Sequence, residues 1–215
     1  MSVGTRPKTL RRKVYDSVRE DLRQGKIGPD VLLVERELAS ALGVSRTPVR
    51  EALYALEQDG FVRSTARGFQ PRQLTDVEIS HIFEMRQLLE PHAIANVAKS
   101  AGEGFEADLM AALDAQTRAH SKEDPAAFMA GNHMFRDAWL NRLANKRLAA
   151  AIALYDDHIL SLRRSTLHDG AVRAVAIASL TAVLGAVAAK DEAAVLQRYK
   201  EHLDRAEAAM RATYN

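Results

Sequence analysis

Apolar residues recur at every fourth position near the start of this chain. In residues 8–25, Leu10, Val14, Val18 and Leu22 fall on one side of a helical pattern. Gly25 is placed to end that helix as a C-cap, and Gly28-Pro29 punctuates the turn that follows. Glu35–Leu42 reads as a short second helix with Leu38 and Leu42 on one face. Gly43 permits a sharp turn, after which Val44 is expected to pack inward. A third helix is predicted over Pro48–Gln58, with Val49, Leu53 and Leu56 toward the core. Ser45 stands ahead of it as an N-cap whose hydroxyl would accept free N–H groups of the first turn. Pro48 lies in that turn, where a missing N–H costs little. Gly60 ends the helix. The run "FVRSTARGFQP" then reads as a β-hairpin with Arg67-Gly68 near its tip. Three helices and a hairpin in this order predict a winged helix-turn-helix over residues 1–75.

The pattern changes at Thr75. "TDVE" forms a capping box, with Glu78 at the third helical position, and opens a helix over Asp76–Ser100. Gly102–Gly104 breaks it. Further helices are expected over Phe105–Ser121, Pro125–Asn141, Lys146–Leu162, Thr166–Lys190 and Glu192–Thr213, the last started by Asp191. No stretch beyond residue 75 alternates like a strand. Residues 76–215 therefore read as an all-helical bundle of six or seven helices, and the whole chain as mostly α.

Composition supports helices, because Ala and Leu supply most of the apolar bulk. There is no cysteine, which excludes disulfides and thiolate metal sites and fits a reducing compartment. No secretory signal is visible, so a cytoplasmic location is expected. Ala174–Ala189 is apolar throughout but shorter than a span of about 20 residues, so a buried core helix is expected and no membrane. Charge is unevenly spread. Residues 1–75 hold 14 Lys/Arg against 9 Asp/Glu, and residues 76–215 hold 16 against 19. Only the first third is suited to a polyanion.

The predicted third helix carries the DNA-facing chemistry. Arg46 sits at its mouth, where a guanidinium fork can take a guanine edge or a phosphate. Arg50 is one turn on, along the same face. Arg36 lies in the preceding helix, which in such motifs crosses the backbone. Each has a plainer alternative: Arg36 could pair with Glu35 or Glu37, Arg50 could be a solvated residue, and Ser45 could be only a cap. No nucleophile–base pair, Gly-rich phosphate loop or paired-carboxylate motif appears, so an enzyme is not expected.

"ERELASALGVSRTPVREAL" resembles the DNA-binding signature of the GntR family of bacterial transcription regulators. The helical remainder, with "EMRQLLEPHAIANVA", resembles the FCD domain of its FadR subfamily. That resemblance implies DNA contact by Arg36, Arg46 and Arg50, assisted by Ser45 and Thr47, with Arg67 and Gly68 at the wing tip. It also implies a homodimer on a palindromic operator, most commonly a repressor released by a small-molecule effector. FCD domains often hold a metal through Asp-x-x-x-His and two later histidines. Here those positions fall on Asn132, Arg136, Leu180 and His202, so no metal or other cofactor is expected. Arg136 would place a fixed positive charge in the bundle, able to hold a carboxylate or phosphate directly. Asn132 one turn earlier, Arg86 and His202 complete the expected effector site for an anion. Alternatively Arg136 pairs with Glu90 or Asp137, the domain serves only dimerisation, or relocated ligands hold a metal.

Overall fold

A computed structural model describes residues 9–102 and 104–214. Lys8 and Glu103, which the sequence reading included in its segments, lie outside the described residues. The chain forms two compact units that part between Leu74 and Thr75.

In the first unit, α1 spans Leu10–Arg23, and the Thr9 side chain accepts from the Arg12 amide. Its buried face is Val14, Tyr15 and Val18. The predicted stripe is shorter than expected, because Leu10 is 53% exposed and Leu22 only half-buried. The C-cap is Gln24, and Gly25 follows at φ +70°. Helix α2 covers Glu35–Leu42 and ends at Gly43 in the left-handed conformation. Its inward residue is Ala39, whereas Leu38 and Val44 are half-buried and Leu42 is exposed. A two-turn helix has room to sink one small side chain deeply, and its longer neighbours border solvent. Helix α3 covers Arg46–Gln58, starting two residues earlier than the sequence reading. Val49, Ala52, Leu53 and Leu56 are fully buried along its inner face.

Strands β1 (Val62–Thr65) and β2 (Gly68–Pro71) pair antiparallel, with Arg63 opposite Gln70 and Thr65 opposite Gly68. An isolated bridge joins Leu33 to Phe69, with reciprocal backbone bonds of 2.7 and 2.9 Å. The hairpin is thus tied to the segment that feeds α2.

The second unit contains seven helices among the described residues. Helix α4 spans Asp76–Ser100 and starts with the expected capping box between Thr75 and Glu78. Thr75 therefore belongs structurally to this unit. Helices α5 (Phe105–Ser121) and α6 (Pro125–Leu140) lie against each other, and α5 also packs on α9. The predicted helix over Lys146–Leu162 is two: α7 (Lys146–His158) and α8 (Leu160–Thr166), separated at Ile159. No glycine or proline marks that break. Ile159 is fully buried there, and the chain turns so that Arg163 of α8 reaches back to Asp156 of α7. Helix α9 runs Gly170–Ala188, capped by the Asp169 side chain, and α10 runs Glu192–Tyr214. Helix α10 lies along α4, α8 and α9.

Helix α9 corrects the sequence reading. It is long and apolar enough to cross a membrane, yet only 33% of its most apolar window is buried inside the bundle. It is an outer helix with one inward face, carrying Leu180, Val183 and Val187, not a helix enclosed on all sides.

Candidate functional site

The first unit presents one cluster of cationic side chains at the start of α3. Arg46 and Arg50 are 62% and 53% exposed. Both lean on Glu35 at the start of α2. Arg50 donates from Nε to Oε1 at 3.0 Å and from Nη2 to Oε2 at 3.1 Å, and Arg46 donates from Nη2 at 3.4 Å. Hydrogen bonds from Arg50, and burial in the opposite sense, leave the Glu35 carboxyl below its ordinary value. Glu35 thus holds the two arginines side by side, a role the sequence reading missed. Arg36 is exposed, and the expected alternative of pairing with Glu35 fails because Arg46 and Arg50 take that carboxylate.

Ser45 has the backbone of an N-cap, but its hydroxyl makes no capping bond. The reason lies three residues on. A cap side chain bonds the amide at the second or third helical position, and the third here is Pro48, which has none. The same proline that suits the first turn takes away one of the two amides that Ser45 could bond. Its hydroxyl and that of Thr47 remain exposed beside Arg46.

At the hairpin tip Arg67 is exposed. Gly68 has a different reason to be there. Its φ is +148°, and a Cβ would meet the Leu33 carbonyl oxygen at 2.5 Å. The residue is required by the close passage of the wing over the Leu33 strand. Arg63, also exposed, donates to Gln70 across the hairpin at 3.2 Å and adds a second cation to the wing.

The second unit contains a partly open cavity of about 340 Å³. Arg86 of α4, Asn132 and Arg136 of α6 and His202 of α10 all line it, so all four predicted effector residues meet there. They come with an ion network that the sequence reading did not assemble. Glu90, wholly buried, accepts from Arg86 Nε at 2.7 Å, Arg136 Nη1 at 3.1 Å and the Tyr199 hydroxyl at 3.0 Å. Arg136 also donates to the Ile152 carbonyl at 3.2 Å and lies 3.3 Å from Asp156. Asp156 in turn accepts from Arg163 Nη2.

Burial opposes the charge on Glu90, but Arg136 and Arg86 hold its carboxyl down to about 2. Burial opposes Asp156 too, and Arg136 and Arg163 keep it well below the usual carboxylate range. Both carboxylates are therefore ionised at neutral pH, while burial lowers Arg163 against the pull of Asp156. His202 accepts or donates at 2.8 Å to Ser179 Oγ through Nδ1. Burial, then the charges of Arg86 and Arg163, push the imidazole down to about 3, so it is neutral.

Two corrections follow. Arg136 is not an open fork, since Glu90, Asp156 and Ile152 occupy it. Its neighbours Arg86 and Arg163 each keep a buried Nη1 without a hydrogen-bond partner. Arg163, missed from sequence, is visible only once α8 turns away from α7.

The positions that could carry a family metal do not fit one. They bring one imidazole, already bonded to Ser179, together with an amide, a leucine and a guanidinium. A divalent cation beside Arg136 and Arg86 would face like charge. No cluster of three His, Asp or Glu suited to a metal is found among the described residues.

The model for bacterial regulatory proteins of the gntR family matches residues 10–68, and that for the FCD domain matches residues 81–205. YdhC of Bacillus subtilis (strain 168), an uncharacterised helix-turn-helix transcriptional regulator, is 28% identical over 147 residues. That alignment covers 67% of this chain and 66% of YdhC. The gluconate operon transcriptional repressor of the same organism is 29% identical over 125 residues, 58% of this chain and 51% of that protein. The chain thus spans between half and two thirds of the length of these two relatives. The solved structure of E. coli McbR/YncC matches with a TM-score of 0.81 at 24% identity, over 97% of this chain and 100% of that one, and shows the same fold. With both family models matched in order, and the second alone covering more than half of the chain, this protein belongs to the GntR family of bacterial transcription regulators and carries an FCD domain.

Proposed function

We propose that this regulator is a cytoplasmic repressor that binds a palindromic operator as a homodimer and is controlled by a small anion held in the FCD cavity. Its family comprises transcription regulators and not enzymes. Arg36, Ser45, Arg46, Thr47 and Arg50 form the reading surface, and Arg67 reaches from the wing, which Gly68 shapes. The gluconate operon relative is named a repressor, and the same sign is adopted here. Two-fold symmetry of protein and operator would set two such surfaces on successive half-sites.

The observation that carries the control is a cavity in the second unit lined by the guanidinium-bearing residues Arg86 and Arg163, each of which keeps one Nη1 without a hydrogen-bond partner. A domain serving only dimerisation has no use for a cavity with cationic walls. An anion that binds one pose of the dimer better shifts operator affinity by that difference alone.

The DNA half is tested by selecting duplexes from a random library and measuring binding by fluorescence anisotropy. Arg46→Ala is expected to weaken the selected site by about 1–3 kcal/mol. Unchanged affinity would remove Arg46 from the reading surface. The effector half is tested by a thermal-shift screen of carboxylates with and without EDTA. A stabilising hit should be indifferent to EDTA and lost in Arg163→Gln. A hit that vanishes with EDTA would show metal-borne binding and refute direct capture by arginine.

A further inference from the structure

The polar end of the cavity holds an uneven set of charges. Three guanidinium groups, Arg86, Arg136 and Arg163, face two carboxylates, Glu90 and Asp156, and all five are buried. The imidazole of His202 adds nothing, being neutral. One positive charge is left without a counter-charge, in a place where water cannot screen it well. An uncompensated buried charge is costly, and one anionic oxygen pair would balance it. Arg86 and Arg163 are 3% and 7% exposed and both line the cavity, so their guanidinium groups are the ones such an anion would meet.

The rest of the cavity is of another character. Its walls from α9 are Val172, Val175 and Ala176, and those from α10 are Ala206, Ala209 and Met210. Five lining alanines, Ala171, Ala176, Ala206, Ala208 and Ala209, are what leave the space open. The six wall side chains offer no hydrogen bond to a hydroxyl, so a polyhydroxylated acid laid against them would lose hydration without replacement. An apolar body would instead gain by leaving water. Arg205 also lines the cavity, but it is exposed and its charge is already solvated. It is the one group that could favour a second carboxylate, so a diacid is the natural rival.

We propose that the effector is a monocarboxylate with an apolar body, its carboxylate taken by the guanidinium groups of Arg86 and Arg163 and its body laid between α9 and α10. This deepens the anion reading above and rests on it.

The test is calorimetric titration of the full chain with octanoate, 4-phenylbutyrate, octanedioate, gluconate and 1-octanol. One of the two monocarboxylates is expected to bind at least about tenfold more tightly than the diacid, the sugar acid and the alcohol. Arg163→Gln should weaken that binding by about tenfold or more. Ala209→Leu, which touches no ion pair, should do the same by filling the apolar end, with an unchanged melting curve as its control. It keeps the question decidable if the arginine variant does not fold. Tighter binding of octanedioate or gluconate, still dependent on Arg163, would overturn the monocarboxylate assignment and leave the anion reading standing. Binding of 1-octanol equal to octanoate, or no binding by any carboxylate, would overturn both.

Discussion

At Gly68 the backbone sits at φ +148°, and the Leu33 carbonyl oxygen fills the space a side chain would need. Next to it, Arg67 projects into solvent. From the sequence the two looked like one wing-tip pair with one role. The structure separates them, and mutation can check the separation. Gly68→Ala is expected to destabilise the first unit by about 1–3 kcal/mol, the cost of forcing a side chain into that backbone region. Arg67→Ala should leave the melting temperature in place and weaken DNA binding. A Gly68→Ala variant that melts like wild type would refute the packing role. Ser45 shows the same limit. Its position as N-cap was legible, but the missing bond reflects Pro48 three residues further in. For Arg136 the pair with Glu90 stood only as the alternative to an open anion site, because Glu90 lies 46 residues away and nothing local in either segment decides between the two.

Helices whose ends are written in short-range chemistry were legible to within a residue or two. Thr75 with Glu78 starts α4, and Asp191 accepts from the Ala194 amide at the start of α10. The separation of α7 from α8 was not legible, because Asp156, Ile159 and Arg163 respond to burial and to each other across the turn. The placement of α9 failed for a related reason. Apolar composition measures the tendency to leave water, not which side of a helix finds a neighbour. The packing of α5 on α6 has a sharper determinant in Gly131. A Cβ there would stand 2.8 Å from Gln116 Cγ and 3.0 Å from its backbone nitrogen. The Gln116 side-chain amide also donates to the Gly131 carbonyl at 3.4 Å. Gly131→Ala is therefore expected to cost about 1–3 kcal/mol through overpacking. Urea unfolding should register it as a lower midpoint, and an unchanged midpoint would mean that α6 can shift away at no cost.

Taken as one molecule, the regulator should be sensitive to acid through its cavity. His202 is held at about 3 when folded against an ordinary 6.5, so the unfolded chain binds the proton more readily between those values. Stability should fall as pH drops below about 6.5. Glu90, held at about 2 against 4.5, adds a second loss between those values as it is forced toward protonation. Both slopes have the same sign. Melting temperatures measured down the pH scale should therefore decline in two stages, and His202→Gln should remove the upper one. A flat profile from pH 7 to pH 5 would contradict the buried neutral imidazole. The surplus positive charge beside these groups has a consequence of another kind. On the proposed reading the domain without an anion carries an electrostatic penalty, and binding relieves it only in the folded state. At a hundred times its dissociation constant a ligand adds about 2.7 kcal/mol to folding. Small differences of that size change how long a protein survives proteolysis in a cell. The empty regulator is then the short-lived form and the loaded one the durable form. The effector would set the supply of regulator as well as its grip on DNA, and the two effects would oppose each other in a repressor that lets go when loaded.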